Sequence, residues 1–309
     1  MTEVVGRYAP SPTGELHLGN LRTALVAWLS ARSAGGRFLL RIEDLDSTRT
    51  KEEWIGVQER ELRAMGLDWD GEPVRQSGRN SLYSEALDRL SGQDLLYECF
   101  CSRKEIREAA SAPHREPALP LDAYPGTCRD LTETEREERR QAGRPPALRV
   151  RTDGASVSFR DVIHGELEVV LDDFVVRRND GDYAYNLAVV VDDAAQGVTE
   201  VVRGEDLLDS TARQLWLYRT LGLIPPEGWI HLPLMRGPDG DRLAKRHGSV
   251  TLEQVEAEGG TAEETVGRLA ASLGLAPEGT NCLASDLLGD FSREALIKGC
   301  KQASDEGWS

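Results

Sequence analysis

Two groups of residues in this chain have types and spacings that could do chemistry. The first is His17-Leu18-Gly19-Asn20, which follows a loop, Ala9 to Leu16, containing Pro10, Pro12 and Gly14. A histidine entering a helix can donate a hydrogen bond to a phosphoryl oxygen. The free backbone N–H groups of the helix start and the positive end of its dipole favour an anion there. Gly19 has no side chain, so a flat ring or a phosphate can come close to the backbone. A lone histidine in such a place is uninformative, so its neighbours decide the matter.

The second group is Cys99, Cys101 and Cys128, flanked by Tyr97 and Phe100; Cys282 and Cys300 stand apart. In a cytosolic chain, cysteines spaced in this way suggest a metal before a disulfide. Three thiolates leave one corner of a tetrahedral zinc shell open. Tyr124 is the nearest oxygen donor of a suitable type, and His114 competes with it. Three reduced structural cysteines are the competing reading.

The surrounding pattern predicts what positions these groups. Val4 to Tyr8 reads as a buried strand, and Leu21, Leu25, Trp28 and Leu29 recur at helical spacing. Gly35 and Gly36 stop that helix, and Arg37 to Ile42 is a second strand. The result is a βαβ unit, hence a parallel sheet with a right-handed crossover. Helices are expected at 51–65, 81–90 and 103–110, the second with Leu82, Ala86, Leu87 and Leu90 on one face. The charged run 131–142 reads as a solvated helix, although Arg139, Arg140 and Arg144 could touch RNA. Residues 147–178 alternate as strands do, and Asn179-Asp180-Gly181 signals a hairpin turn.

Leu187 to Val191 is a buried strand or helix segment, and Val198 to Arg203 a strand. Ser210 is expected to cap a helix bearing Leu215, Tyr218 and Leu221. Trp229 to Met235 is the last core strand, Gly237 to Gly240 a tight turn, and Thr251 with Gln254 a capping box. After about Gly274 no period is evident and weak order is expected. A second βα pattern would complete a doubly wound sheet, with ligands at the strand C-termini and Arg203 returning towards the first βαβ unit.

Composition narrows the class. The chain has 309 residues, 39% hydrophobic and 29% charged, as in an ordinary globular enzyme. No apolar run reaches the roughly 18 residues of a membrane helix. The N-terminus is unlike a signal peptide, so a cytoplasmic location is expected. Net charge is −16, from 53 acidic and 37 basic residues. That opposes broad nucleic-acid binding and confines any RNA contact to local basic residues.

Arg7-Tyr-Ala-Pro-Ser-Pro-Thr-Gly14, His17-Leu-Gly-Asn20 and Arg41-Ile-Glu-Asp-Leu-Asp46, in that order, resemble the catalytic core of glutamyl-tRNA synthetases. These are class I synthetases, and His17 to Asn20 resembles their HIGH signature. Arg242-Leu-Ala-Lys-Arg246 occupies the place of their KMSK-type loop, with Arg242 and Ala244 departing from Lys-hydrophobic-Ser-Lys-Arg and Lys245 retained. Cys-x-Cys followed by Tyr-x3-Cys, and the form Ala184-Tyr-Asn-Leu-Ala-Val-Val-Val-Asp-Asp193, are similar to glutamyl-Q tRNA(Asp) synthetases, short paralogues of that family. Only 59 residues follow Val250, which leaves no room for the usual helical anticodon-binding region.

This resemblance implies an α/β fold: a Rossmann-type doubly wound parallel sheet with a zinc-containing insertion and a short helical C-terminal region. The implied segments are 1–98 and 179–250 for the catalytic halves, 99–178 for the insertion and 251–309 for the C-terminal part. It implies that Arg7, Ala9, Ser11, Glu43, Tyr185 and Arg203 contact L-glutamate, with Glu43 on the ammonium and Arg203 on the side-chain carboxylate. His17, Gly19, Asn20 and Lys245 would face ATP, with Mg²⁺ on the phosphates, and His17 and Lys245 would be catalytic. Cys99, Cys101, Tyr124 and Cys128 would hold a structural Zn²⁺. Activated glutamate would go to queuosine in the anticodon of tRNA(Asp), with the enzyme acting as a monomer. Two other readings stay open: a truncated glutamyl-tRNA synthetase charging a tRNA 3′ end, and a degenerate paralogue that binds glutamate or RNA without catalysis.

Overall fold

A computed structural model describes residues 3–110, 123–235 and 250–306. The chain opens with strand β1 (Val5–Tyr8), helix α1 (Leu18–Ser33) and strand β2 (Arg37–Ile42). β1 and β2 are parallel, Val5 opposite Arg37 and Tyr8 opposite Leu40. α1 is apolar around most of its circumference and is buried accordingly, with Leu21, Leu25 and Leu29 fully enclosed. It ends where Gly35 turns left-handed (φ 66°) and Gly36 N–H closes back on the Ala31 carbonyl. Gly36 then packs so close to β1 that a Cβ would lie 2.1 Å from the Val4 carbonyl oxygen. Helix α2 (Glu52–Ala64) leads to β3 (Val74–Arg75), parallel to β2, and then to α3 (Asn80–Ser91). On α3, Tyr83 takes the fully buried place expected for Leu82, which is only partly covered.

The middle of the chain is antiparallel. β4 (Leu96–Cys99), α4 (Arg103–Ala110), α5 (Glu133–Gln141), β5 (Ala147–Val150), β6 (Ser156–Asp161), β7 (Gly165–Val170) and β8 (Val175–Arg177) follow one another. β4, β5 and β8 form one sheet and β6–β7 a separate hairpin. The hairpin does not stand alone: Val162 N–H donates to the Trp229 carbonyl at 2.9 Å.

Helix α6 (Tyr185–Gln196), β9 (Glu200–Gly204), α7 (Leu208–Leu221) and β10 (Gly228–Leu232) rebuild the parallel sheet, with β9 and β10 in parallel register. The two ladders meet at β1 and β9, where Thr199 N–H donates to the Val5 carbonyl and Val5 N–H to Thr199 Oγ1. Arg7 reaches the Val202 carbonyl further along, so the strands advance together. The order is therefore β3-β2-β1-β9-β10, a doubly wound sheet whose direction of winding changes between β1 and β9. Such a switch point leaves a crevice beyond the strand C-termini.

Two expectations change, and one left open between strand and helix is resolved. The Leu187 to Val191 run is helical: its residues lie within α6, buried against α3 and α7. Ser210 is not a cap but lies inside α7; a 3₁₀ turn, Glu205–Leu207, runs straight into that helix, so no side-chain cap is made. The tail is ordered well past Gly274. Helices α8 (Leu252–Ala257), α9 (Ala262–Ala271) and α10 (Arg293–Glu306) follow one another, and Ala284, Leu287, Leu296 and Cys300 join the core around α1. Apolar positions there are too widely spaced to show a period. No helix among the described residues is long and apolar enough to cross a membrane.

Candidate active site

The loop between β1 and α1 is pinned from below by α2. Gln58 Nε2 donates to the Ser11 and Gly14 carbonyls at 3.1 and 2.7 Å. Glu61 Oε2 accepts from Leu16 N–H at 3.0 Å. Burial pushes the Glu61 carboxyl up to about 7, and Glu15 and Glu253 nearby push the same way. His17 is the N-cap of α1: its Nδ1 accepts from Asn20 N–H at 3.2 Å. That bond puts the imidazole proton on Nε2 in the neutral ring, and burial lowers the ring's pKa, so the neutral form is favoured. The helix start offers fewer free donors than expected. Leu18 N–H is taken by the Val250 carbonyl and Asn20 N–H by His17, leaving Gly19 N–H without a partner among the described residues. A Cβ on Gly19 would lie 3.0 Å from the His17 ring, so this glycine first makes room for His17 itself.

Beneath the crevice lies a buried charge network. Asp193 on α6 accepts from Arg7 Nε at 3.3 Å and from Arg41 Nη1 at 2.6 Å. Arg41 also meets Glu43 at 3.3 Å and Asp192 at 3.8 Å. Asp192 is completed by Arg79 at 2.5 Å, Gln76 at 2.8 Å and Tyr83 Oη at 2.9 Å. Each buried charge is thus paired, as it must be away from water. Burial raises the pKa of Glu43, although Arg41 and Arg7 oppose this. A cation arriving beside Glu43 would oppose that shift and favour its charged form.

Arg203, at the C-terminal end of β9, differs from Arg7, Arg41 and Arg79. All five of its N–H groups meet neutral acceptors: His231 Nε2 (2.9 Å), Tyr185 Oη (3.2 Å), Gln214 Oε1 (2.9 Å), the Leu207 carbonyl (3.2 Å) and Thr211 Oγ1 (2.7 Å). No carboxylate among the described residues pairs with it, and burial lowers its pKa. A buried guanidinium without an anion is a receptor for one.

One cavity of about 680 Å³ gathers these residues. Arg7, Ala9, Ser11, Glu43, Tyr185 and Arg203 line it, together with His17, Gly19 and Asn20. Lys245 lies outside the described residues, as do Arg242, Ala244, Gly237–Gly240 and His114. Sequence reasoning missed Gln58 and Glu61, the supports of the signature loop. Their spacing of three on an amphipathic helix was the available signal. It also missed His231, Thr211 and Gln214, which no short motif marks. A second cavity of about 830 Å³ shares Ser11, Glu43 and Tyr185 and continues to Cys101, Arg103 and Arg144.

At the far end of that cavity lie the cysteines. The sulfurs of Cys99, Cys101 and Cys128 all lie within 4.8 Å of one another, and Cys101 Sγ is 3.4 Å from Cys128 Sγ. Tyr124 Oη stands 3.5 Å from Cys99 Sγ and accepts from Cys128 N–H at 2.7 Å. Ligand edges of roughly 3.5–3.8 Å are what a tetrahedron with zinc–sulfur bonds of about 2.3 Å requires. The Arg149 guanidinium lies 3.8 Å above the Tyr124 ring centre, which holds the ring in place. Three thiols and a phenol therefore fit a zinc ion.

Comparison with known proteins agrees with this geometry. The profile "tRNA synthetases class I (E and Q), catalytic domain" matches residues 3–298. The chain is 54% identical over 294 residues to a glutamyl-Q tRNA(Asp) synthetase of Nocardia farcinica, covering 94% of this chain and 90% of the relative. A protein of the same name from Symbiobacterium thermophilum is 51% identical over 283 residues, covering 87% and 86%. Among solved structures, a glutamate tRNA ligase from Elizabethkingia meningosepticum in complex with its amino acid superposes with a TM-score of 0.75. It is 26% identical, over 98% of this chain and 69% of that one.

Proposed function

The chain belongs to the class I tRNA synthetases (E and Q). On that premise we propose that it activates L-glutamate with ATP and transfers the glutamate to queuosine in the anticodon of tRNA(Asp). The observation that carries the first half is Arg203, a buried cation with only neutral acceptors, opening with Tyr185 onto the switch-point cavity. The glutamate side-chain carboxylate is the anion that site lacks, while glutamine would leave the charge unmatched. Glu43 takes the ammonium. Arg7, Ala9 and Ser11 complete the wall.

No protein nucleophile is needed. The α-carboxylate of glutamate attacks the α-phosphorus of ATP, the bond to the β-phosphate oxygen breaks, and pyrophosphate leaves. His17 donates from Nε2 to a phosphoryl oxygen, beside Gly19 and Asn20, and Lys245 brings a further cation. Mg²⁺ on the phosphates would supply additional charge compensation. Cys99, Cys101, Tyr124 and Cys128 would hold a zinc ion whose role is structural, because protein atoms fill all four positions.

The names of these two relatives support queuosine as the acceptor. The second cavity offers a splayed base a route past Arg103 and Arg144 to Tyr185, which suits local rather than broad RNA contact. Such an enzyme works as a monomer in the cytoplasm, where its tRNA is.

The test uses periodate, which destroys vicinal diols at the 3′ end and on the queuosine ring. A tRNA(Asp) with a blocked 3′ end and intact queuosine still accepts glutamate under this proposal. Loss of acceptance on that substrate, together with charging of unmodified tRNA(Glu), overturns it in favour of acceptor-end charging.

A further inference from the structure

Arg203 is held from behind by a buried relay that none of the site motifs contains. His231 on β10 and Asp161 at the end of β6 are both almost completely enclosed, at 0% and 1% exposure. Asp161 accepts four N–H groups. Oδ1 takes Ile163 and His164 N–H at 2.9 Å each, and Oδ2 takes His231 N–H at 3.1 Å and His231 Nδ1 at 2.7 Å. Burial opposes ionisation of Asp161, yet the His231 bond and the backbone donors hold its carboxyl below the usual range. Burial also lowers the pKa of His231, against the pull of Asp161. The imidazole is therefore neutral and protonated on Nδ1, and its Nε2 lone pair receives Arg203 Nε–H at 2.9 Å.

The arrangement keeps the carboxylate one ring away from the guanidinium. A carboxylate bonded directly to Arg203 would orient it equally well but would neutralise it. An imidazole in between orients without neutralising. Two residues of α7 extend the same logic with neutral acceptors: Thr211 meets Nη2 beside His231, its Oγ1 3.1 Å from His231 Nε2, and Gln214 meets Nη1. We propose that Asp161 and His231 are positioning residues for substrate specificity: they aim Arg203 into the cavity as an uncompensated cation, so that its counter-ion is the side-chain carboxylate of the amino acid. The inference rests on the reading that Arg203 binds that carboxylate. It also gives the β6–β7 hairpin, outside the parallel sheet, a part in choosing the amino acid.

Pyrophosphate exchange with the full chain, read separately for glutamate and ATP, tests it. His231→Gln places an amide oxygen near the position of Nε2 and so keeps an acceptor for Arg203. His231→Asn keeps a donor for Asp161 but removes that acceptor. His231→Gln is expected to hold the glutamate KM within about threefold, and His231→Asn to raise it about tenfold or more with the ATP KM unmoved. His231→Glu brings a carboxylate directly onto Arg203 and should raise the glutamate KM further, narrowing the preference for glutamate over glutamine. An unchanged glutamate KM in His231→Asn, or equal shifts for glutamate and ATP, overturns the proposal. Should His231→Asn fail to show a native thermal transition, the pair His231→Gln and His231→Glu decides: equal glutamate KM values in the two overturn it. Arg203→Ala separates the two claims. If that variant keeps a normal glutamate KM, the reading of Arg203 itself fails. If it loses glutamate while His231→Asn does not, only the relay fails.

Discussion

The switch-point cleft and the cysteine knuckle both hold polar groups in fixed places, but with different resources. The cleft sits on a core that runs from α1 through β1, β2 and β10 to the C-terminal helices, and its charges interlock through Asp192 and Asp193. Among the described residues, the knuckle's buried cluster is Tyr97, Cys99, Phe100, Tyr124 and Cys128, with Cys101, Ile106 and Leu131 partly buried against it. In the cleft, apolar packing fixes the backbone and ion pairs then fix the side chains. In the knuckle, too little apolar surface is buried for packing to do the same, so order must come from ligation. The cleft should therefore fail globally when a charge is removed, and the knuckle locally when a sulfur is removed.

Asp193→Ala is expected to have the largest effect. It leaves Arg7 and Arg41 facing each other in a buried site, which costs about 3–5 kcal/mol of global stability. Urea unfolding measures this; a loss under about 1 kcal/mol would mean that the network is more solvated than its burial implies. Arg203→Ala comes next, with glutamate-dependent exchange falling about a hundredfold, close to 3 kcal/mol, while ATP binding persists. Near-normal exchange would remove Arg203 from the site.

Cys128→Ser sharpens the contrast. Metal content should fall from about one equivalent of zinc towards none, and amide exchange should rise around Cys99–Cys101 and Tyr124–Cys128. Glutamate activation should stay within about threefold, because the cleft has its own core. Transfer to tRNA should drop more than activation does. Equal loss of both would show that the two regions fold as one unit.

These regions also differ in how far sequence alone reveals them. The first βαβ unit is plain because its signals are local: an apolar strand, a Pro/Gly loop, a helical period and a Gly35-Gly36 stop in which Gly35 takes the left-handed conformation. The cysteine group is plain because thiols are rare and closely spaced. Much of the cleft's support is not local. His231 reads as one polar residue in an apolar strand, and Asp161 as a strand end, until the fold places them 2.7 Å apart across 70 positions. Leu187 to Val191 illustrates the limit of short apolar runs, which strands and buried helices share. Ser210 shows a cap pattern overruled by the 3₁₀ turn before it. The tail hid its order because its buried residues, Ala284, Leu287, Leu296 and Cys300, complete a core whose other members lie far away in sequence.

The smallest expected effect probes how the cleft's loop is tied down. Glu61 accepts Leu16 N–H from below the signature loop, and its second oxygen, Oε1, is buried with no partner among the described residues. Burial raises its pKa from 4.5 to about 7 in the folded chain. The folded state therefore binds this proton more tightly than the unfolded chain does. Its contribution to stability is greatest below pH 4.5, declines as pH rises towards about 7, and is level above that. In Glu61→Gln the amide oxygen can still accept from Leu16 N–H, but nothing ionises. The variant and the parent should therefore be close in stability near pH 5, and the variant the more stable above pH 7. The expected gap is on the order of 1 kcal/mol, below the full value of the shift. Thermal melts at both pH values read it. A gap that stays constant with pH would mean that Glu61 is ionised throughout, and that the signature loop is held by a charged carboxylate, as the network around Asp193 is.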